Sequence, residues 1–145
     1  MTTRHLRIHG DNIIECERSL SLISQAFGTN PIYVATSPTF MPTYTLGIFQ
    51  IELLSGHGRW GVNLSDELQS QGGVLREGAD SYITEITGKT ESVLFAMEYC
   101  SALPAGNNAW QRNGRAFSCA MAGIPYLSLF FFFLQKFKSL LILMC

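Results

Sequence analysis

Residues 78–100 read GADSYITEITGKTESVLFAMEYC, and the fold turns on this stretch. Two runs rich in β-branched and aromatic residues, Asp80 to Ile86 and Val93 to Tyr99, flank Gly88-Lys89-Thr90. That composition predicts a strand, a turn and a second strand. A hairpin centred on Lys89 sets Asp80 directly opposite Glu98 on one face, with Cβ atoms roughly 4.5–5.5 Å apart. Two carboxylates so placed repel each other unless a positive charge lies between them. A divalent cation such as Mg²⁺ takes hard oxygen ligands of this kind. Glu98 follows Val93-Leu94-Phe95-Ala96-Met97, so its carboxylate emerges at the edge of a core, where a charge needs a partner. The alternative is a register slip of one residue, which sends one side chain to the opposite face and leaves both acids at strand ends in solvent.

Upstream, Ile13, Cys16, Leu20, Ile23 and Phe27 recur at spacings of three and four, predicting a helix from about Asp11 to Phe27 with one apolar stripe. Asp11 is its expected N-cap, and Gly28 with Pro31 stops it. Pro38 and Pro42 mark a loop. Leu46 to Leu54 (LGIFQIELL) reads as one buried strand, and Ser65 to Gln71 as a short polar helical turn. Gly56 to Gly61 matches GxGxxG, but no long helix opens at its last glycines, so a glycine-rich loop is the reading preferred to a nucleotide site.

Downstream, a second helix is predicted from about Asn107 to Ala122, with Trp110, Phe117 and Met121 on one face. Asn107 or Asn108 caps it, and Gly123 before Pro125 ends it. Gln111 and Arg115 are neighbours on the face opposite Trp110, with Arg112 beside them. That face offers a glutamine to water and arginines to a phosphodiester; the plainer reading is a solvated polar surface. A strand begins at Ile124 to Leu127. The order is helix, strand, strand, strand, helix, strand, which implies an α/β domain with a central mixed sheet flanked by helices.

Charge is divided along the chain. Residues 1–100 carry eleven acids against six bases, and residues 101–145 carry four bases and no acid, which puts cation ligands and phosphate ligands in different segments. The four cysteines, Cys16, Cys100, Cys119 and Cys145, form no CxxC pair, so no zinc knuckle or thioredoxin-type site is expected. Histidine ligation is not expected either, because His5 and His9 precede the helix stripe and His57 has no neighbour. The polar opening is no secretory signal, so Asn63-Leu64-Ser65 is not expected to be glycosylated, and a cytoplasmic, bacterial location with reduced thiols is the simplest expectation.

The run LFAMEYCSALPAGNNAWQRNGRA (residues 94–116), preceded by GADSYIT (78–84), resembles type II restriction endonucleases of the PD-(D/E)xK nuclease superfamily. HGDNIIECERSLSLI (9–23) is similar to the N-terminal helix of the same enzymes. The likeness spans about residues 5–127 and implies their restriction-endonuclease-like core, incomplete here. It also implies Asp80 and Glu98 as metal ligands and Glu15 as an assisting helix glutamate, with Glu17 close enough to compete. Cys100 stands where the motif lysine belongs and cannot polarise water, which shifts that role to Gln111, with Arg112 or Arg115 on the DNA phosphate. The implied activity is Mg²⁺-dependent hydrolysis of double-stranded DNA, with homodimerisation in the intact enzyme. The implied chemistry is a cation lowering the pKa of water and a basic side chain stabilising the transition state.

The resemblance stops at about residue 127. The segment 128–145, SLFFFFLQKFKSLLILMC, reads as an aberrant hydrophobic tail produced by a frameshift in a T-rich codon run, leaving an N-terminal fragment not expected to cut DNA. The rival reading, a membrane anchor, needs about 20 apolar residues, and Lys136 and Lys138 interrupt the run, so a membrane partner is not expected. From a different functional class comes the alternative of a non-catalytic remnant or small membrane-tethered interaction protein. Convergence of Asp80, Glu98 and Glu15 on one pocket discriminates the two.

Overall fold

A computed structural model describes residues 3–36, 41–56, 64–74, 78–100 and 107–130. The glycine-rich residues 57–61, the sequon at Asn63 and the tail from residue 131 onward lie outside these, as do the side chains of Asn107 and Asn108. Ten elements follow in order: β1 (Arg4–Gly10), α1 (Ile13–Phe27), β2 (Ile32–Thr36), β3 (Pro42–Leu46), β4 (Phe49–Ser55), α2 (Leu64–Ser70), β5 (Ser81–Thr87), β6 (Thr90–Cys100), α3 (Asn107–Met121) and β7 (Tyr126–Phe130). The described strands form one seven-stranded mixed sheet in the order β2-β3-β4-β1-β5-β6-β7.

The α/β class with a central mixed sheet is therefore what the sequence predicts, but the element order is not. Strand β1 precedes the first helix and lies in the middle of the sheet, parallel to β4 and antiparallel to β5. Its polar opening conceals a period of two: Leu6 and Ile8 are buried in the core while Arg7 and His9 face the other way. LGIFQIELL is not one strand. Gly47, at φ 59°, opens a two-residue turn between β3 and β4, with Leu46 paired to Phe49. Of the loop expected near Pro38 and Pro42, Pro38 lies outside the described residues and Pro42 opens β3; β2 is an edge strand of the described sheet, exposing Ile32, Tyr33 and Val34. The last strand runs past Leu127, the expected boundary, to Phe130.

Helix α1 covers one face of the sheet. Cys16, Leu20 and Ile23 pack on Leu6, Ile8, Ile51, Leu53, Ile83 and Met97, while Ile13 and Phe27, the ends of the predicted stripe, are exposed. Its N-cap is Asn12 rather than Asp11: the Asn12 side chain accepts from Glu15 N and Glu15 reaches back to Asn12 N, a reciprocal capping box. Gly10 is needed for this entry, since a Cβ there would lie 2.6 Å from Cys16 Sγ and 2.7 Å from Asn12 O. Beyond the end of α1, its face of the sheet borders an apolar cavity of about 380 Å³ lined by Leu22, Phe27, Leu94, Phe95 and Leu127 among others.

Helices α2 and α3 cover the opposite face, where Leu64, Leu68 and Cys119 meet Tyr82, Val93, Ala96 and Ile124. The face of α3 that packs inward is not the one carrying Trp110, Phe117 and Met121; these are 79%, 58% and 53% exposed. Small residues face the sheet instead, Ser118 and Cys119 being buried, which allows close approach and lets Arg112 and Arg115 reach β6. Cys16, Cys100 and Cys119 are free and buried, as expected of reduced thiols, and burial pushes the Cys16 and Cys119 pKa values up to about 11. Among the described residues, no helix is long and apolar enough to cross a membrane.

The far end of β1 holds a charged network on the α2 face. Arg7 donates to Glu52 at 2.8 Å and to Glu91 at 2.7 Å, His9 Nε2 lies 2.6 Å from Glu91 Oε1, and Thr84 donates to the same oxygen at 2.6 Å. Burial works to raise the Glu91 pKa, but the hydrogen bonds from His9, Thr84 and Arg7 outweigh it and hold the carboxyl at about 2. A depressed carboxylate stabilises the fold fully above its unfolded value and loses that contribution as pH falls through the folded one. Glu91→Gln is therefore expected to lose on the order of 2–3 kcal/mol at neutral pH. In acid titrations followed by circular dichroism, its deficit relative to the parent shrinks as pH falls from about 4.5 toward about 2.

Candidate functional site

Where β5 begins and β6 ends, the two helices converge on a polar cavity of about 340 Å³. It is lined by Glu15 and Arg18 from α1, Asp80 before β5, Glu98 and Tyr99 from β6, and Gln111, Arg112 and Arg115 from α3. All six residues singled out from the sequence, Glu15, Asp80, Glu98, Gln111, Arg112 and Arg115, thus line one cavity. Glu17 does not; it is exposed elsewhere on α1.

The register that brings Asp80 to Glu98 arises differently from the expected hairpin. The turn is the two-residue Gly88-Lys89, pairing Thr87 with Thr90, which on its own would set Asp80 one residue out of step. A bulge corrects it: Thr84 pairs with Val93, but Ile83 pairs with Phe95, so Leu94 is the extra residue. From there Ser81 faces Met97, the last pair of the ladder, and Asp80, one residue before β5, lines the same cavity as Glu98.

Each acid is held by a distinct device. Asp80 Oδ2 accepts from the Tyr99 amide at 2.7 Å, and the Asp80 carbonyl accepts from the Asp11 amide at 3.0 Å, which ties the entry of β5 to the start of α1. Ser19, fully buried on α1, lies 2.7 Å from Ser81 Oγ and 2.6 Å from Tyr99 Oη, so a hydroxyl junction fixes α1 against both strands. Burial, then the negative charge of Asp80, raises the Glu15 pKa above the ordinary glutamate range. Glu98 is 2% exposed and is met by guanidinium groups: Arg115 Nη1 donates to Oε1 at 3.0 Å and Oε2 at 3.2 Å, and Arg112 Nε to Oε1 at 3.3 Å. Tyr126 faces the same carboxylate, and its hydroxyl pKa is raised by burial and by the Glu98 charge.

The raised Glu15 pKa means that the folded state binds this proton more tightly than the unfolded chain. Its cost to stability is absent at low pH and appears as pH rises through the folded pKa. Glu15→Gln keeps a capping-box partner for Asn12 and removes the repulsion from Asp80. It is expected to be slightly more stable than the parent at neutral pH, by up to about 1 kcal/mol, with the advantage gone in acid; chemical denaturation at two pH values checks this.

Mg²⁺ binds through one or two carboxylates, water and substrate phosphates rather than a full protein cage. The donors fit that demand in kind: the Asp80 and Glu98 carboxylates line the same cavity, and Asp80 accepts from the Tyr99 amide through Oδ2. No group of three His, Cys, Asp or Glu among the described residues is placed to hold a metal, and both Glu98 oxygens are engaged by arginine. Cys100 is buried; burial raises its thiol pKa and Arg112 partly opposes this.

Sequence reasoning missed Arg18 and Tyr99. Arg18 lies one turn after Glu15 and therefore shares its face, a signal that spacing alone could have supplied; its guanidinium carbon sits 6.0 Å from the Tyr99 ring centroid. Tyr99 points to the α1 face of the sheet, and its phenol pKa is pushed up to about 12 by burial, with Glu15 and Asp80 adding to the effect. No family model matches the chain, and neither a curated protein nor a solved structure is significantly similar to it.

Proposed function

We propose that this chain carries the metal- and phosphate-binding core of a Mg²⁺-dependent DNA endonuclease of the PD-(D/E)xK type. The observation that carries the reading is the meeting of Asp80, Glu98 and Glu15 with Gln111, Arg112 and Arg115 around one cavity. Asp80 and Glu98 would hold the ion, which when bound supplies Lewis acidity toward water and the scissile phosphate. Gln111, exposed where it lines the cavity, would orient a water molecule, and Arg112 and Arg115 would take phosphate oxygens. Strand β1, ahead of the first helix and between β4 and β5, is an addition to the helix-strand-strand-strand-helix-strand order that the resemblance implies; β6 and β7 are parallel and α3 lies between them in the chain.

A second reading, a non-catalytic protein, has one observation in its favour: the Glu98–arginine cluster satisfies the buried charge without any ion. Fluorescence anisotropy of a labelled DNA duplex, with and without Mg²⁺, separates the two. The endonuclease reading predicts binding that requires Mg²⁺ and weakens with salt as expected for about two phosphate contacts. Absence of duplex binding in both conditions supports the non-catalytic reading.

A further inference from the structure

The arginines that would grip a phosphodiester and the glutamate that would grip a cation are bound to each other. Arg115 spans both Glu98 oxygens and Arg112 adds a third contact at 3.3 Å, so cation ligand and phosphate ligands neutralise one another inside the cavity. The Glu98 carboxylate is almost wholly buried, its side chain 3% exposed, whereas Arg112 and Arg115 keep 21% and 23% of theirs exposed. The acid is sealed from solvent, whereas the arginine side chains are partly open to it.

From this geometry we infer that Glu98 and its two arginines form an exchange latch that makes cation and DNA binding mutually dependent. The inference rests on the proposed placement of the metal at Asp80 and Glu98. A cation that takes Glu98 replaces the arginines as its counter-charge. The displaced guanidinium groups, with their fork of N–H donors, are then available to a phosphodiester at the same cavity. Conversely, a phosphodiester that draws Arg112 and Arg115 away leaves Glu98 buried beside Asp80 without its counter-charges, which strengthens its demand for a cation. Because binding free energies are reciprocal, the factor by which DNA raises cation affinity equals the factor by which the cation raises DNA affinity. The ligand classes follow: a hard divalent cation on one side and the sugar-phosphate backbone on the other, with no base contact needed.

Arg18 supplies the control. It lines the same cavity and carries the same charge, but it lies over the Tyr99 ring rather than on Glu98. A mere reduction of positive charge near the metal would act through Arg18 as it does through Arg115; an exchange acts only through Glu98's partners.

The experiment measures Mn²⁺ binding to the full chain by electron paramagnetic resonance, with and without a short phosphorothioate DNA duplex. The parent chain is expected to bind Mn²⁺ about tenfold more tightly when the duplex is present. Without duplex, Arg115→Gln and Arg112→Gln are expected to raise Mn²⁺ affinity, Arg115→Gln by more and both beyond Arg18→Gln; in Arg115→Gln the duplex effect should shrink below about threefold. Thermal melts accompany each variant. Arg112→Gln keeps the two shorter contacts from Arg115 and so tests the idea even where Arg115→Gln folds poorly. Equal gains from Arg18→Gln and the Glu98 partners would overturn the latch, since a general field would then suffice. Mn²⁺ and duplex binding that ignore each other would also overturn it while leaving the proposed core intact. No Mn²⁺ binding sensitive to Asp80→Asn would overturn the proposed core and the latch with it.

Discussion

Asp80→Asn is expected to weaken divalent cation binding at least about a hundredfold while leaving the fold standing. The first part follows from ligand chemistry. Altering an outer partner of a metal ligand already costs roughly 10–100-fold in affinity, and here one of the two direct carboxylates would become a neutral amide. The second part follows from the hydrogen bonds. Asp80 accepts from the Tyr99 amide through a single side-chain oxygen, and an asparagine carbonyl can accept the same bond. Exchanging a charge-assisted bond for a neutral one costs up to about 1 kcal/mol, partly offset because the substitution relieves the repulsion that raises the Glu15 pKa. Mn²⁺ titration together with a thermal melt separates the two effects. A variant that unfolds while its residual folded fraction still binds metal would make Asp80 a structural acid only.

Arg115→Ala carries the largest expected loss of stability, about 3–5 kcal/mol, because it leaves a buried carboxylate short of its principal counter-charge. Glu98 has almost no access to water, and the other guanidinium bonded to it among the described residues, Arg112, reaches one oxygen at 3.3 Å. The lower end of the range is favoured to the extent that Arg112 closes in. For a domain of this size the melting temperature should fall by roughly 10 °C or more. Adding Glu98→Gln to the same chain removes the stranded charge and should restore a substantial part of the loss, a non-additivity that only directly coupled groups show. If Arg115→Ala costs less than about 1 kcal/mol, water reaches Glu98 and its charge does not depend on Arg115.

Much of the site was legible because the hairpin signal is local. Alternation through residues 80–86 and 93–99 and the glycine at residue 88 set Asp80 near Glu98, and helical spacing set Gln111, Arg112 and Arg115 on one side of α3. The expected hairpin was incomplete, since the tight turn and the Leu94 bulge each shift pairing by one residue and cancel by the Ser81–Met97 pair. The rest was hidden where tertiary partners override local pattern. Arg7 and His9 made β1 look like a polar leader, because their partners Glu52 and Glu91 lie far along the chain. Gly47 split what hydrophobicity alone presents as a single strand. On α3 the apolar residues face outward, because the inner side must be small enough to approach the sheet and charged enough to meet Glu98. No spacing rule reveals that Arg112 and Arg115 are held by Glu98.

The central claim, that Asp80 and Glu98 are a cation site, is tested most directly by crystals of the chain soaked in Mn²⁺ and measured for anomalous scattering. The account predicts a peak between the two carboxylates, within roughly 2.0–2.3 Å of an oxygen from each, near the range for Mg²⁺-type coordination. It also predicts that Arg115 will have turned away from Glu98. A map with no peak at saturating Mn²⁺, and Glu98 still clasped by Arg112 and Arg115, would contradict it and leave the cluster as a buried ion pair alone.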